Sequence, residues 1–319
     1  MYEPTDALSA PRFTGPRTFA RLPHVPGVRD ADVAVFGMPW DGAATFRAGA
    51  RSGPEAIRSA SALLRPYNPG QGVQVFGALS VADAGDAPTV PGYIEQTLSR
   101  IEAFVHDLAA GGTIPVGLGG DHSVTLAELR ALHRIHGPLG LVHLDAHGDL
   151  WDEYFGLPYN HGTVFRRALE EGLIDPARTL QAGMRGSLYG PEDADLPAQL
   201  GLQVLPWDEL AQLSPEQFGQ IARERVGDGP TFLTFDVDVV DPAFAPGTGT
   251  PEVGGPTSHE VLRLLRSLTG IDFRGFDVVE VAAPYDGPGQ PTALVAATAA
   301  YEMLSLLARR RAATGVTAG

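Results

Sequence analysis

The chain has 319 residues, 44% hydrophobic and 19% charged, enough for one large core or two smaller ones. A formal net charge of −15 argues against nucleic acid or an anionic membrane surface as partner, since both need a basic footprint. The absence of cysteine excludes disulfides, zinc–thiolate sites, iron–sulfur clusters and cysteine nucleophiles, and the absence of lysine excludes a P-loop lysine and Schiff-base chemistry.

No apolar run reads as long enough to span a bilayer and no signal-peptide pattern opens the chain, so the expected location is the cytoplasm. Residues 1–30, rich in proline, arginine and glycine, read as an extended arm ahead of a single catalytic domain over 31–319. Short apolar runs then predict strands at Val33–Phe36, Val73–Phe76, Ile114–Leu118, Leu139–Leu144, Thr179–Ala182, Leu202–Leu205, Phe232–Val237 and Gly275–Val281. Between and after them, helical patterns cover Gly53–Leu64, Tyr93–Ala110, Ser123–Ile135, Thr163–Glu171, Pro215–Val226, Ser258–Leu268 and Pro291–Arg310. The first of these helices has a proline near N1, and the Ser258 helix has that serine at its cap. Apolar strands alternating with helices predict a three-layer α/β/α domain around a parallel sheet. Ligand sites in such sheets lie beyond the carboxyl ends of the strands.

Three of those ends carry polar residues. The Ile114 strand runs into "GGDHS", the Leu139 strand into "DAHGD", and the Phe232 strand carries "FDVDVVDP" followed by "PGTGTPEVGG". In an extended chain, residues i and i+2 share a face roughly 7 Å apart, which brings Asp145, His147 and Asp149 together, and likewise Asp236 and Asp238. Buried without a counter-charge, these carboxylates would cost several kcal/mol each. Two divalent ions would balance the four acids, with His122 and His147 as neutral nitrogen ligands. An oxygen-rich set with two imidazoles and no thiolate suits Mn²⁺ better than Zn²⁺. Two such ions can share a water and acidify it. His143 shares the parity of Asp145 but lies deeper, as a hydrogen-bonded core histidine, and Asp241 is explained by the turn at the following proline.

"GGDHS", "DAHGD", "FDVDVVDPAFAPGTGTP" and "DVVEVAAPYD", with "GMPWDGAATFRAGARSGPEAIRSAS" upstream, resemble the signatures of the ureohydrolase family of arginases, agmatinases and related amidinohydrolases. The resemblance runs from about Gly37 to the last helix and implies an eight-stranded, mostly parallel sheet and a binuclear manganese centre. By motif position, one ion would be held by His122, Asp145, Asp149 and Asp236, the other by Asp145, His147, Asp236 and Asp238. It also implies His161 as proton shuttle and Glu280 as the acid that holds the guanidinium, and the departing amine would take its proton from Asp149 or His161. The chemistry is consistent: a carboxylate accepts the planar donor fork of a guanidinium, and an imidazole protonates a departing amine.

Family members share the release of urea, so substrate identity depends on the other end of the molecule. The segment from Leu150 to His161 and the run "GMRGSLYG" resemble bacterial agmatinase more than arginase. The expected reaction is therefore agmatine to putrescine and urea. A guanidinobutyrate-type acid is the alternative and arginine ranks behind it. Trp151, Asn160 and Thr250 are the expected further substrate contacts; Asp152 or Glu153 would attract an ammonium, and Arg185 a carboxylate. The family resemblance also implies a homo-oligomer, trimer or hexamer. A two-metal phosphoesterase or deacetylase is the competing class; Glu280, facing the ions, would repel its anionic substrate.

Overall fold

A computed structural model describes residues 1–314. One sheet of eight strands organises the chain: β1 (Val33–Gly37), β2 (Val81–Asp86), β3 (Ile114–Leu118), β4 (Leu139–Leu144), β5 (Ile174–Ala182), β6 (Gln203–Leu205), β7 (Thr231–Asp236) and β8 (Phe273–Val279). Their spatial order is β2-β1-β3-β8-β7-β4-β5-β6. Every neighbouring pair is parallel. The helices are α1 (Gly53–Ser61), α2 (Ile94–Ala109), α3 (Thr125–His136), α4 (Val164–Glu170), α5 (Pro191–Gln199), α6 (Pro215–Val226), α7 (Ser258–Ser267) and α8 (Pro291–Thr314), with several short turns besides.

Strand side chains alternate faces and so build two cores. Val142, Leu144, Leu233 and Phe235 pack with α1, α6, α7 and α8 on one face. Leu139, Leu141 and Phe232 pack with α2, α3 and α4 on the other. Phe232 and Phe235 are fully buried, and burying each side chain contributes about 2 kcal/mol. With both faces covered, polar groups emerge only at the strand ends.

Residues 1–30 continue the sheet edge. Phe19, Ala20 and Leu22 are buried in the first core, and His24 bridges to Asp83 of β2 in parallel. This covers the edge groups that β2 would otherwise expose.

Several expectations need correction. Only Val73–Gln74 of the expected Val73–Phe76 strand is extended, in a two-residue ribbon with Tyr67–Asn68; Val75–Ala78 is a short helix. Short apolar runs do not separate strand from helix by pattern. The eighth sheet strand is instead β2, whose "VADAGD" lacks a strand signature because Asp83 and Asp86 interrupt it. The Thr179–Ala182 expectation catches only the end of β5, and α5 was not expected, since it buries no residue fully and so shows no periodic stripe. Thr257, not Ser258, caps α7, through a capping box with Glu260. Finally, α8 is long and apolar enough to cross a bilayer by length and composition, but most of it is buried inside the fold.

The acids that obscure β2 have a partner. Arg58 of α1 donates from Nε and Nη2 to the two Asp83 oxygens at 2.9 and 3.0 Å, and from Nη1 to Asp86 at 2.6 Å. The Phe19 N–H also bonds Asp83, which ties the N-terminal segment into the same network. Arg58→Met would leave Asp83 buried without its cation. The expected loss is about 3–5 kcal/mol of unfolding free energy, read from urea titration. An unchanged midpoint would show that the network adds no net stability.

Candidate functional site

The strands β3, β8, β7 and β4 are adjacent in the sheet, and their carboxyl ends carry His122, Glu280, Asp236 with Asp238, and Asp145 to Asp149. Residues far apart in sequence thus meet in one buried volume. The reason they meet differs from simple strand alternation. β4 stops at Leu144, and Asp149 takes a left-handed backbone, φ 50°, which turns its carboxylate back. Past β7 the chain forms a tight turn, capped as Asp236 accepts the Asp238 N–H at 2.8 Å.

His122 shows what this volume is built for. Its Nε2 lies 3.0 Å from the Thr234 hydroxyl, and its Nδ1 lies 3.1, 3.0 and 3.2 Å from oxygens of Asp145, Asp149 and Asp236. Yet Nδ1 is buried and has no hydrogen-bond partner of acceptable geometry. A lone nitrogen facing three carboxylates is a donor set for a cation. His147 repeats the pattern, with Nδ1 3.1 Å from Asp238 and 3.4 Å from Asp145. Donor atoms of His122, His143 and Asp145, and of Asp145, His147 and Asp238, lie within 4.8 Å of one another in each group. His143 is better excluded. Gln181 donates to its Nδ1 at 3.0 Å while Nε2–H donates to Asp145 at 2.7 Å, so both ring nitrogens are engaged. It is the hydrogen-bonded core histidine expected, and it orients Asp145.

Charge repulsion supports the same conclusion. Burial, then Asp238 and Asp145, hold the Asp236 carboxyl well above its ordinary pKa. Burial and Asp145 raise Asp238 to about 6. Cations among them would relieve the repulsion at Asp236 and Asp238, and the six residues offer the donors to hold such ions.

Glu280 ends β8 with φ 63°, a left-handed conformation that costs a glutamate roughly 1 kcal/mol or more. The carboxylate is 1% exposed and faces the His122 amide and the His161 ring. Its Oε1 accepts the His122 N–H at 2.9 Å and lies 3.0 Å from His161 Nδ1, while Oε2 is buried and without a partner. An orphaned carboxylate oxygen in a closed site is an acceptor for an incoming N–H. His161 Nε2 lies 3.1 Å from the Thr45 amide, which donates, and 2.7 Å from its hydroxyl. Thr45 therefore offers either a donor or an acceptor, and His161 keeps a partner in both protonation states. Burial opposes a charged His161, but the hydrogen bond and charge of Glu280, with Asp149 and Asp121, carry its pKa up to about 9. Asp121 accepts the Ala43 N–H and so anchors the Thr45 loop to the end of β3.

The remaining expected contacts divide. Thr250 Oγ1 lies 3.3 Å from Asp238 Oδ2 and supports a metal-side acid. Trp151 stands beside the His161 turn, its N–H on the Gly162 carbonyl and its ring 5.0 Å from that of Tyr189. The Asn160 side chain caps that turn, its Oδ1 accepting from the Gly162 N–H. Arg185 is likewise committed, donating to the carbonyls of Gly183, Val239, Asp238 and Glu252. Asp152 pairs with Arg167 at 2.6 Å and Glu153 is exposed. Thr45, Asp121 and Thr234 escaped the sequence reading. Each left a signal: Asp121 and Thr45 stand inside motifs already quoted, and Thr234 shares strand parity with Asp236.

A parallel α/β sheet with paired histidine and carboxylate donors beside a buried carboxylate with one free oxygen fits a metal-dependent hydrolase for a planar cation. A model of the arginase family matches residues 31–305. Guanidinopropionase of Pseudomonas aeruginosa is 50% identical over 97% of each chain. Guanidinobutyrase of the same organism is 43% identical, over 96% of this chain and 97% of that one. An agmatinase from Neisseria meningitidis is 42% identical over 90% and 92%. Proclavaminate amidinohydrolase from Streptomyces clavuligerus superposes with TM-score 0.88 at 42% identity, over 94% of this chain and 99% of that one. The chain belongs to the arginase family and is a hydrolase of guanidino compounds.

A His161 pKa raised from 6.5 to about 9 implies stability present below pH 6.5 and lost as pH rises through 9, roughly 3 kcal/mol in the metal-free protein. The stability gap between wild type and His161→Gln should shrink by that amount across this window in urea titrations. A gap that stays constant would mean that folded His161 is neutral throughout.

Proposed function

We propose that this chain hydrolyses a short guanidino acid to urea and the corresponding amino acid, with two manganese ions. The observation that carries the acid is the similarity to guanidinopropionase and guanidinobutyrase; within the site the acids nearest the metal-side residues are engaged, while Glu153 stays exposed. Asp152 is held by Arg167, Asp149 faces His122, and Glu252 lies 3.6 Å from His147 Nε2. Agmatine is the second reading, supported by the likeness to agmatinase. Manganese is the choice of the donor set, six residues rich in oxygen with imidazole and no sulfur.

His122, Asp145, Asp149 and Asp236 would hold one ion, and Asp145, His147, Asp236 and Asp238 the other. When bound, the pair supplies an activated water for attack on the guanidinium carbon. The chain's own residues do the rest. Glu280 accepts guanidinium N–H groups at Oε2 and fixes the plane of the substrate. Its burial makes that contact strong and excludes bulk water. Asp149 or His161 delivers the proton that the departing amine needs. Thr45 keeps the His161 ring in place through that transfer.

The test is urea release by manganese-loaded protein with 3-guanidinopropionate, 4-guanidinobutyrate, agmatine and arginine side by side. The acids should be turned over fastest. Preference for agmatine would overturn the acid and keep the chemistry. Asp238→Ala should lose one of two bound ions in metal analysis and more than about 100-fold in kcat/KM. Two retained ions with near wild-type turnover would contradict the ligand assignment.

A further inference from the structure

Beyond the buried cluster, the loop after β1 reaches the site twice. Thr45 contacts His161, and two residues on stands Arg47. A Cβ placed on Gly249 would lie 3.1 Å from Glu280 Oε2 and 3.2 Å from the Arg47 carbonyl oxygen, so the Glu280 carboxylate and the Arg47 backbone border one small volume. The Arg47 Cζ sits 5.3 Å from the Phe46 ring centroid and 5.1 Å from that of Tyr285. Tyr285 belongs to the short turn Ala283–Tyr285 that follows Glu280, so this guanidinium stacks on the segment leading out of the site.

What Arg47 lacks is equally informative. Among the described residues its charge meets aromatic rings and no carboxylate, although acids outnumber bases 38 to 23 in the chain. The other arginines near the site are spoken for: Arg51 pairs with Asp41, and Arg185 donates to backbone carbonyls. A guanidinium beside aromatic rings is held in orientation by their faces while its N–H edge stays available for an oxyanion.

We propose that Arg47 is the specificity-determining residue that binds the substrate carboxylate; this rests on the guanidino-acid reading above. The charge order then matches a zwitterion: negative Glu280 deep in the site for the guanidinium, positive Arg47 on the segment leading out of it for the acid. In a three-carbon guanidino acid the two charged carbons lie about 5 Å apart when extended, a span suited to a contact across one small volume. A diamine-like substrate meets the wrong charge at Arg47. Arginine, longer and carrying an added ammonium, is disfavoured on both counts.

The experiment compares wild type with Arg47→Met, which keeps the aliphatic packing and removes the charge. The substrates are 3-guanidinopropionate and propylguanidine, which have the same chain with and without the carboxylate. The kcat/KM ratio of the acid to the alkyl compound should fall about 100-fold, chiefly through KM for the acid, as expected for losing a charge-assisted hydrogen-bonded pair. Arg47→Lys should restore part of the ratio, and Arg47→Glu should move preference toward agmatine. Equal losses on both substrates, or no loss on either, would overturn the anchor and leave the reaction standing. Wild-type protein that hydrolyses agmatine but no guanidino acid would overturn the substrate class itself, before any variant is made.

Discussion

Everything in this molecule turns on a concentration of negative charge where a protein interior tolerates least. Asp145, Asp149, Asp236, Asp238 and Glu280 converge at the ends of three adjacent strands, nearly or wholly out of contact with solvent. Coulomb repulsion among them is severe in a medium of low dielectric, and hydrogen bonds from backbone amides offset only part of it. The stable solution is cationic, and the site provides for it with imidazole nitrogens aimed inward. The sheet makes this possible: its strands are clamped between two hydrophobic cores, so the acids cannot move apart to relieve the strain. Stability of the scaffold and discomfort of the site are two sides of one arrangement.

The same rigidity explains the backbone of Glu280. A left-handed glutamate at a strand end persists only where its surroundings over-determine it. Here the Glu280 N–H bonds the Gly120 carbonyl and the carboxylate bonds the His122 amide, so that residue is fixed from both ends. Its free oxygen is then presented at a constant position to whatever enters. Thr45 and Asp121 do the same for His161 and its loop, a layer of positioning contacts outside the reacting groups.

Much of this was legible in the residues, for physical reasons. Acids directly after apolar strands are expensive, so "DAHGD" and "FDVDVVDP" announced a cation site without any structure. The parallel sheet followed from strands too apolar for a solvent-facing side. What was not legible depended on contacts between distant segments. β2 was hidden because Asp83 and Asp86 look like loop residues until Arg58 of α1 is brought against them. Arg185 looked available because a sequence does not show that four carbonyls surround its guanidinium. Arg47 stood inside a motif already noted, and its isolation from every acid is a three-dimensional property.

The division of labour among loops has an evolutionary consequence. All six candidate metal ligands and Glu280 follow the four central strands, whereas Thr45 and Arg47 follow β1 and the Trp151 segment lies beyond the metal-side turn. The reacting centre and the surface that reads the far end of the substrate are therefore separate modules on one frame. Changing a few residues in the outer loops can redirect the enzyme without disturbing the costly inner cluster. Divergence among such enzymes should then be cheap, and a shared fold is a poor guide to diet.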